Sequence, residues 1–352
     1  MREFVYIGQP ARVVFGVGAL QHLEREIELL GAERALVLCT PQQKDQAHEV
    51  AARLGARCVG VFDQAVMHVP IDTARAAREQ AKRLNADCAL AVGGGSTTGL
   101  GKAIALESSL PILAIPTTYA GSEMTPIYGI TEAGLKKTGR DARVLPKTVI
   151  YDPTLTLGLP AALSATSGMN AIAHAVEGLY AQDANPITSV LAQEGIRALA
   201  RGLPRVVSDP SDLEGRSECL YGAWLCGSVL GSVGMALHHK LCHTLGGSFN
   251  LPHAETHTVV LPHAIAYNRN AAPQAMRLAA EALGADDAAR GLYELARRLR
   301  APDSLRDIGM RESDVPRAVD LAMLSPYYNP RPLEPAAIRK LLDNAYHGRE
   351  PA

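Results

Sequence analysis

Between residues 11 and 153 the sequence alternates short apolar, β-branched runs with longer amphipathic segments, and after TVIYDP (148–153) that alternation stops. The runs ARVVFGVG (11–18), ALVLC (35–39), CVGVF (58–62), CALAVGG (88–94) and ILAIPTT (112–118) have the length and composition of strands. Between them, helical spacing covers 19–30, 43–54, 71–84 and 97–107. Short apolar strands separated by helices of this length fit a parallel sheet covered on both faces, a doubly wound, Rossmann-like α/β arrangement. From Leu159 onward the pattern is helical throughout, with helices expected over 160–182, 187–202, 211–230, 232–247, 261–267, 273–284, 287–299, 313–324 and 335–345. The 352 residues exceed one ordinary domain, so an α/β domain over 1–157 followed by an all-helical domain over 158–352 is expected, with the active site in the cleft between them.

Composition removes several classes of function. With 35 basic and 36 acidic side chains and no basic run, the chain has nothing that would neutralise a line of nucleic-acid phosphates. The opening MREFVYIGQPARVVFG places charges and a proline where a signal peptide needs a continuous apolar stretch, and no later run is long enough to span a bilayer. Cys39, Cys58, Cys88, Cys219, Cys226 and Cys242 form no CxxC pair and are expected to pack as small buried thiols. A soluble, cytoplasmic protein without membrane or nucleic-acid partners is expected.

The segment ALAVGGGSTTGLGK sets Gly93, Gly94, Gly95 and Ser96 between an apolar strand and a helix. Glycines allow close backbone approach, and the free N–H groups and dipole of a helix start attract anions, so a diphosphate is the natural occupant. The loop is not the GxGxxG fingerprint and alone indicates phosphate only. A second polar loop, PTTYAGSEMT (116–125), offers Thr117, Thr118 and Ser122 as hydroxyl donors along the same carboxyl edge of the sheet.

Histidines gather in the helical half. Asn170, His174 and Glu177 fall at i, i+4 and i+7, and His239 and His243 at i and i+4, with His253 ten residues on after a glycine and proline turn. Histidines at i, i+4 serve as metal ligands or proton relays. His238, His257 and His263 carry no comparable spacing argument and are expected to pack, while His22, His48, His68 and His347 lie elsewhere in the sequence. Carboxylates are sparse here, and Asn170 stands where an anionic ligand would be expected.

Together these motifs, with RVVFGVGAL, LPKTVIYDP, GMNAIAHAVEG, HKLCHTLGGSFNLPH and NPRP (329–332), resemble the iron-containing, or group III, alcohol dehydrogenase family over nearly the whole chain. The resemblance implies the fold shared with dehydroquinate synthase, a dinucleotide site in the first domain, and NADH or NADPH as cofactor. It implies that Thr40, Gly94, Gly95, Ser96, Thr117, Thr118, Ser122 and Lys136 bind that cofactor. His174, His239 and His253 match the family's metal-binding histidines, and His243 matches the histidine near the nicotinamide. The family's Asp ligand is Asn170 here, the Asp after its GGGS is Gly99, and Thr40 replaces a ribose-binding Asp.

Those departures, with TYAGSEMTPIYGIT and MHVP (67–70), resemble the branch that reduces maleylacetate to 3-oxoadipate in aromatic-ring catabolism. Members of that branch are considered to work without the metal, so no metal is expected, and a homodimer is usual. His243, His253, His174 and His239 are then the expected catalytic residues, and Asn170, Arg331 and Tyr327 the contacts to a small dicarboxylate substrate. A metal-dependent alcohol or polyol dehydrogenase, and a dehydroquinate-synthase-like lyase, are the alternatives.

Overall fold

The computed structural model describes residues 4–8, 11–133, 135–324 and 327–352, with the backbone alone for Leu135 and Lys136. The chain divides into two compact units, Gly8–Leu159 and a second built on Pro160–Ala352.

In the first unit, strands β1 (Arg12–Phe15), β2 (Ala35–Leu38), β3 (Cys58–Phe62), β4 (Cys88–Gly93), β5 (Ile112–Pro116) and β8 (Thr148–Tyr151) form one sheet in the order β1-β8-β5-β4-β2-β3. Every pairing is parallel. Helices α1 (Leu23–Leu29), α2 (Lys44–Leu54), α3 (Ile71–Arg83) and α4 (Gly95–Ser108) connect the strands. The central strands β2, β4 and β5 are buried along their whole length, which is why they read as unbroken apolar runs. One core joins Ile27, Val37, Val50, Leu90 and Ile115, and another joins Leu36, Leu38, Ala77, Leu100 and Ile104. Adjacent residues of β2 thus feed separate cores.

An antiparallel hairpin, β6 (Ile127–Glu132) and β7 (Leu135–Arg140), interrupts this pattern. It is invisible to patterning, because LKKTGR has no apolar alternation for a period-two pattern to show.

The second unit is helical: α5 (Ala161–Leu179), α6 (Pro186–Ser208), α7 (Leu213–Ser232), α8 (Leu237–Phe249), α9 (His253–Asn268), α10 (Pro273–Leu283), α11 (Ala288–Arg298), α12 (Val315–Met323) and α13 (Pro335–His347). Helices α6 and α7 approach closely through small residues; a Cβ at Gly222 would stand 2.9 Å from the Gly195 carbonyl oxygen. A separate core of Leu237, Leu241, Leu245, Val260, Ile338 and Leu342 ties α8 and α9 to α13.

Helix α9 corrects an expectation. It begins at His253, directly after Pro252, and not near residue 261. Pro262 lies inside it, where proline removes one hydrogen bond. No single helix among the described residues is long and apolar enough to cross a membrane.

Candidate active site

At the carboxyl end of β4 the chain turns through Gly93, with φ of +149°, into Gly94, the residue capping α4. A side chain at Gly93 would collide with Gln43 and Thr97, and a Cβ at Gly94 would lie 2.8 Å from the Thr118 hydroxyl. No side chain caps α4, so its first N–H groups remain available to an anion.

Three neighbouring strands deliver polar groups to this edge. The Thr117 backbone N–H donates to the Gly93 carbonyl at 3.1 Å. The Gln43 amide donates to the Thr117 hydroxyl, and the Thr40 hydroxyl donates to Gln43 Oε1 at 3.2 Å. Thr40, Gly94, Thr117 and Thr118 are therefore brought together, with Gln43 as a link that sequence reasoning missed.

Gly95 and Ser96 open α4. Ser122 starts a 3-10 turn, and its carbonyl is taken by Lys102 Nζ at 2.7 Å. Lys136 lies in β7, and its side chain falls outside the described residues.

Lys102 is fully buried, yet its ammonium reaches the carbonyls of Ser122, Thr125 and Ile127 and the Thr125 hydroxyl, all at 2.7–2.9 Å. Burial pushes its pKa down to about 7 against the opposing charge of Glu123. Glu123 is itself buried, which raises its carboxyl, and it accepts from the Tyr151 hydroxyl at 2.8 Å.

In the helical unit, α5 carries Asn170, His174 and Glu177, α8 carries His238, His239, Cys242 and His243, and α9 carries His253 and His257. The His239 ring centroid lies 5.1 Å from that of His174, 4.9 Å from His257 and 6.2 Å from His243, and the His253 centroid lies 4.4 Å from His257. All four expected histidines therefore join one cluster, with His257 at its centre. His243 is exposed and His253 half-buried, whereas His174, His239 and His257 are buried. His238 Nε2 lies 2.9 Å from His257 Nδ1, and Cys242 Sγ 3.7 Å from the same His238 nitrogen. His257 and His238, expected only to pack, thus belong to the cluster. Because α9 starts at His253, His257 falls at its i+4 position and shares its face. His263 is buried without such partners, and burial lowers its pKa to about 4.

Glu177 organises the cluster. Burial alone would raise its carboxyl, but the hydrogen bond and charge of His239, the charge of His238 and the Ala236 N–H outweigh that and hold it at about 2. Its oxygens accept from the backbone N–H groups of Ala236 at 3.0 Å, His238 at 2.8 Å and His239 at 3.3 Å, and from His239 Nδ1 at 2.7 Å. Burial followed by mutual repulsion lowers His174 and His257 well below the ordinary imidazole value, and His238 to about 3 with some opposition from Glu177.

Four buried atoms of this cluster have no hydrogen-bond partner: Asn170 Oδ1, His174 Nδ1, His239 Nε2 and His257 Nε2. Buried polar atoms are ordinarily satisfied, so a set of unpaired donors of this chemistry fits a divalent cation. Glu177 fixes His239 through Nδ1, the arrangement that turns Nε2 toward a metal.

Family models for the iron-containing alcohol dehydrogenases match residues 10–153 and, for the carboxy-terminal part of that family, residues 164–346. The chain belongs to the iron-containing alcohol dehydrogenase family. It is 62% identical over 352 residues to a maleylacetate reductase of Burkholderia cepacia, all of both chains being covered. The structure of a maleylacetate reductase from Agrobacterium tumefaciens matches with a TM-score of 0.96 at 54% identity over 100% of both chains. An iron-containing alcohol dehydrogenase from Corynebacterium glutamicum matches with a TM-score of 0.96 at 46% identity, covering 100% of this chain and 99% of the other.

Membership in this iron-containing family overturns the expectation that no metal is bound. That expectation came from the resemblance to a branch considered to work without the metal, with Asn170 in place of the family's Asp as one of its marks. Neutral oxygen and imidazole donors suffice in chemistry to ligate a divalent ion, and here they are buried and unpaired.

Two further expected residues are placed by the structure. The Tyr327 hydroxyl is buried with no hydrogen-bond partner among the described residues. The Arg331 guanidinium stacks 4.2 Å from the Tyr267 ring centroid and donates to the Tyr267 carbonyl at 3.2 Å.

Proposed function

We propose that the chain adds hydride from NADH or NADPH to the conjugated carbon–carbon double bond of maleylacetate, yielding 3-oxoadipate in aromatic-compound catabolism. The observation that carries this is the 62% identity, over the full length of both chains, to the Burkholderia cepacia maleylacetate reductase.

Gly94, Gly95 and Ser96 at the start of α4 would hold the dinucleotide phosphates, and Thr40, Thr117, Thr118, Ser122 and Lys136 would hold the rest of the cofactor. Thr40 sets no carboxylate against a ribose 2′-phosphate, which suits use of either nicotinamide cofactor.

When bound, the nicotinamide would supply hydride from C4 to the alkene carbon conjugated with the ketone. The displaced electron pair moves through the former double bond onto the ketone oxygen, and a proton returns the resulting enolate to the ketone. A hydrogen-bond donor must meet the charge on that oxygen. His243 and His253, the more accessible imidazoles of the cluster, donate there, while His174 and His239 shape the pocket with Asn170. Where a divalent ion is bound, His174, His239, His253 and Asn170 Oδ1 would hold it, leaving His243 as the donor, and the ion would supply Lewis-acid polarisation of a substrate oxygen. We also infer a cytoplasmic homodimer; free cysteines at Cys39, Cys88, Cys219, Cys226 and Cys242 suit a reducing compartment.

The test is NADH and NADPH oxidation, followed by absorbance, with maleylacetate as the acceptor. Turnover of maleylacetate is expected. Its absence, with NAD reduced by short alcohols or diols instead, would replace this function by a metal-dependent alcohol dehydrogenase, the reading that the unpaired cation donors favour next.

A further inference from the structure

A dianionic substrate needs positive charge, and the buried imidazoles are poor sources of it. His174, His238 and His257 are buried and packed ring against ring, with His238 and His257 joined at 2.9 Å. Arg331 is already engaged by the Tyr267 ring and carbonyl, with Glu334 at 3.9 Å.

Lys240 stands apart from these. It follows His239 in α8 and precedes His243 by three residues, so it shares a helix face with His243. It is half-buried and makes no ion pair among the described residues. Its Nζ lies 5.5 Å from the centroid of the Tyr327 ring, and the Tyr327 hydroxyl is the buried, unpartnered phenol described above. Tyr327 packs against the core that holds Leu237, Leu241 and Cys242 of α8, the helix that carries His239 and His243. One ammonium over the ring and one hydroxyl at its edge are two donors of the kind a single carboxylate accepts through its two oxygens.

We propose that Lys240 and Tyr327 bind one carboxylate of the substrate, Lys240 supplying the charge and Tyr327 a hydrogen bond, and so select an acid over a neutral enone. This rests on the function proposed above for the choice of substrate, though not for the anion site itself.

The experiment compares wild type with Lys240→Met, Lys240→Arg and Tyr327→Phe in the full chain. Steady-state kinetics with maleylacetate give KM and kcat, fluorescence gives the NADH Kd, and calorimetry gives the Kd of adipate, a non-reacting dicarboxylate. Lys240→Met is expected to raise KM and the adipate Kd by about tenfold or more, with a smaller change in kcat and the same NADH Kd. Lys240→Arg recovers most of that loss, and Tyr327→Phe shows a weaker form of it. If Lys240→Met lowers the melting temperature but leaves KM and adipate binding at wild-type values, Lys240 only braces Tyr327 and the inference is overturned. A wild-type protein that binds adipate through Lys240 but does not turn over maleylacetate upholds the anion site and overturns the proposed reaction.

Discussion

His239 Nδ1 lies 2.7 Å from Glu177 Oε2, with both side chains buried, and the same carboxylate collects three backbone N–H groups at the start of α8. One charged group therefore caps a helix and orients a ring. Replacing Glu177 with Gln keeps the shape but removes the charge and one acceptor. Breaking a buried, hydrogen-bonded pair in this way costs roughly 3–5 kcal/mol, and losing the group that orients a metal-binding imidazole typically weakens metal affinity about 10–100-fold. The variant should melt several degrees lower and bind Fe²⁺ or Zn²⁺ more weakly by calorimetry. Wild-type melting together with wild-type metal affinity would remove Glu177 from this role.

Lys102 gives a pH dependence with a defined sign. Its folded pKa of about 7 lies below its ordinary 10.5, so between those values the unfolded chain binds the extra proton. Stability contributed at Lys102 is then greatest above pH 10.5 and falls as pH drops toward 7. Lys102→Met removes that slope while orphaning the carbonyls of Ser122, Thr125 and Ile127, a loss of roughly 1–3 kcal/mol or more. Denaturant melts of both proteins across this pH range measure the difference. Identical slopes would show that Lys102 does not titrate there.

Much of this architecture was legible, and the exceptions have identifiable causes. Strands β2, β4 and β5 were readable because burial on both faces forces unbroken apolar runs. The hairpin of β6 and β7 was not, since its second strand has none of the apolar alternation that marks a half-buried strand. Spacing put Glu177 on the right face of α5, but its partners Ala236, His238 and His239 lie 59–62 residues away and only folding brings them in. His257 had no spacing argument while the helix was expected only over 261–267: once α9 begins at His253, residue 257 lies one turn along the same face. Gln43 acquires meaning only from the strand order β5-β4-β2, which sets Thr117 and Thr40 on either side of the glycine turn. The metal-free expectation followed a resemblance marked partly by Asn170, and spacing could not reveal how many other donors would be buried without partners.

The glycine turn can be tested without any assumption about substrate. A Cβ at Gly94 would stand 2.8 Å from the Thr118 hydroxyl and 2.9 Å from its methyl group, so Gly94→Ala must push that side chain or the turn aside. At Gly93 the positive φ adds backbone strain of about 1–3 kcal/mol for any other residue. Gly94→Ala is expected to raise the NADH Kd by about tenfold while the protein still folds, and Gly93→Ala to lower the melting temperature as well. Fluorescence titration and thermal melts give both quantities. Unchanged NADH binding in Gly94→Ala would move the phosphates away from this loop.

Asn170 offers the sharpest test of how the site balances cation against dianion. Its Oδ1 is buried and unpaired one helical turn from His174, so Asn170→Asp adds a full negative charge where an unpaired oxygen already stands. Even at an effective dielectric constant near 20, charges a few ångströms apart interact by about 4 kcal/mol, before any cost of desolvating the new carboxylate. The substitution should therefore tighten Fe²⁺ or Zn²⁺ binding by about tenfold or more, while the same charge repels a substrate carboxylate and raises KM for maleylacetate. Chelation should correspondingly lower the melting temperature of Asn170→Asp more than that of wild type, because a ligand bound only to the folded state stabilises it in proportion to its affinity. If metal affinity and KM both stay at wild-type values, the charge at position 170 does not govern the pocket, and the choice between alcohol and enone chemistry must be set by other residues around the histidine cluster.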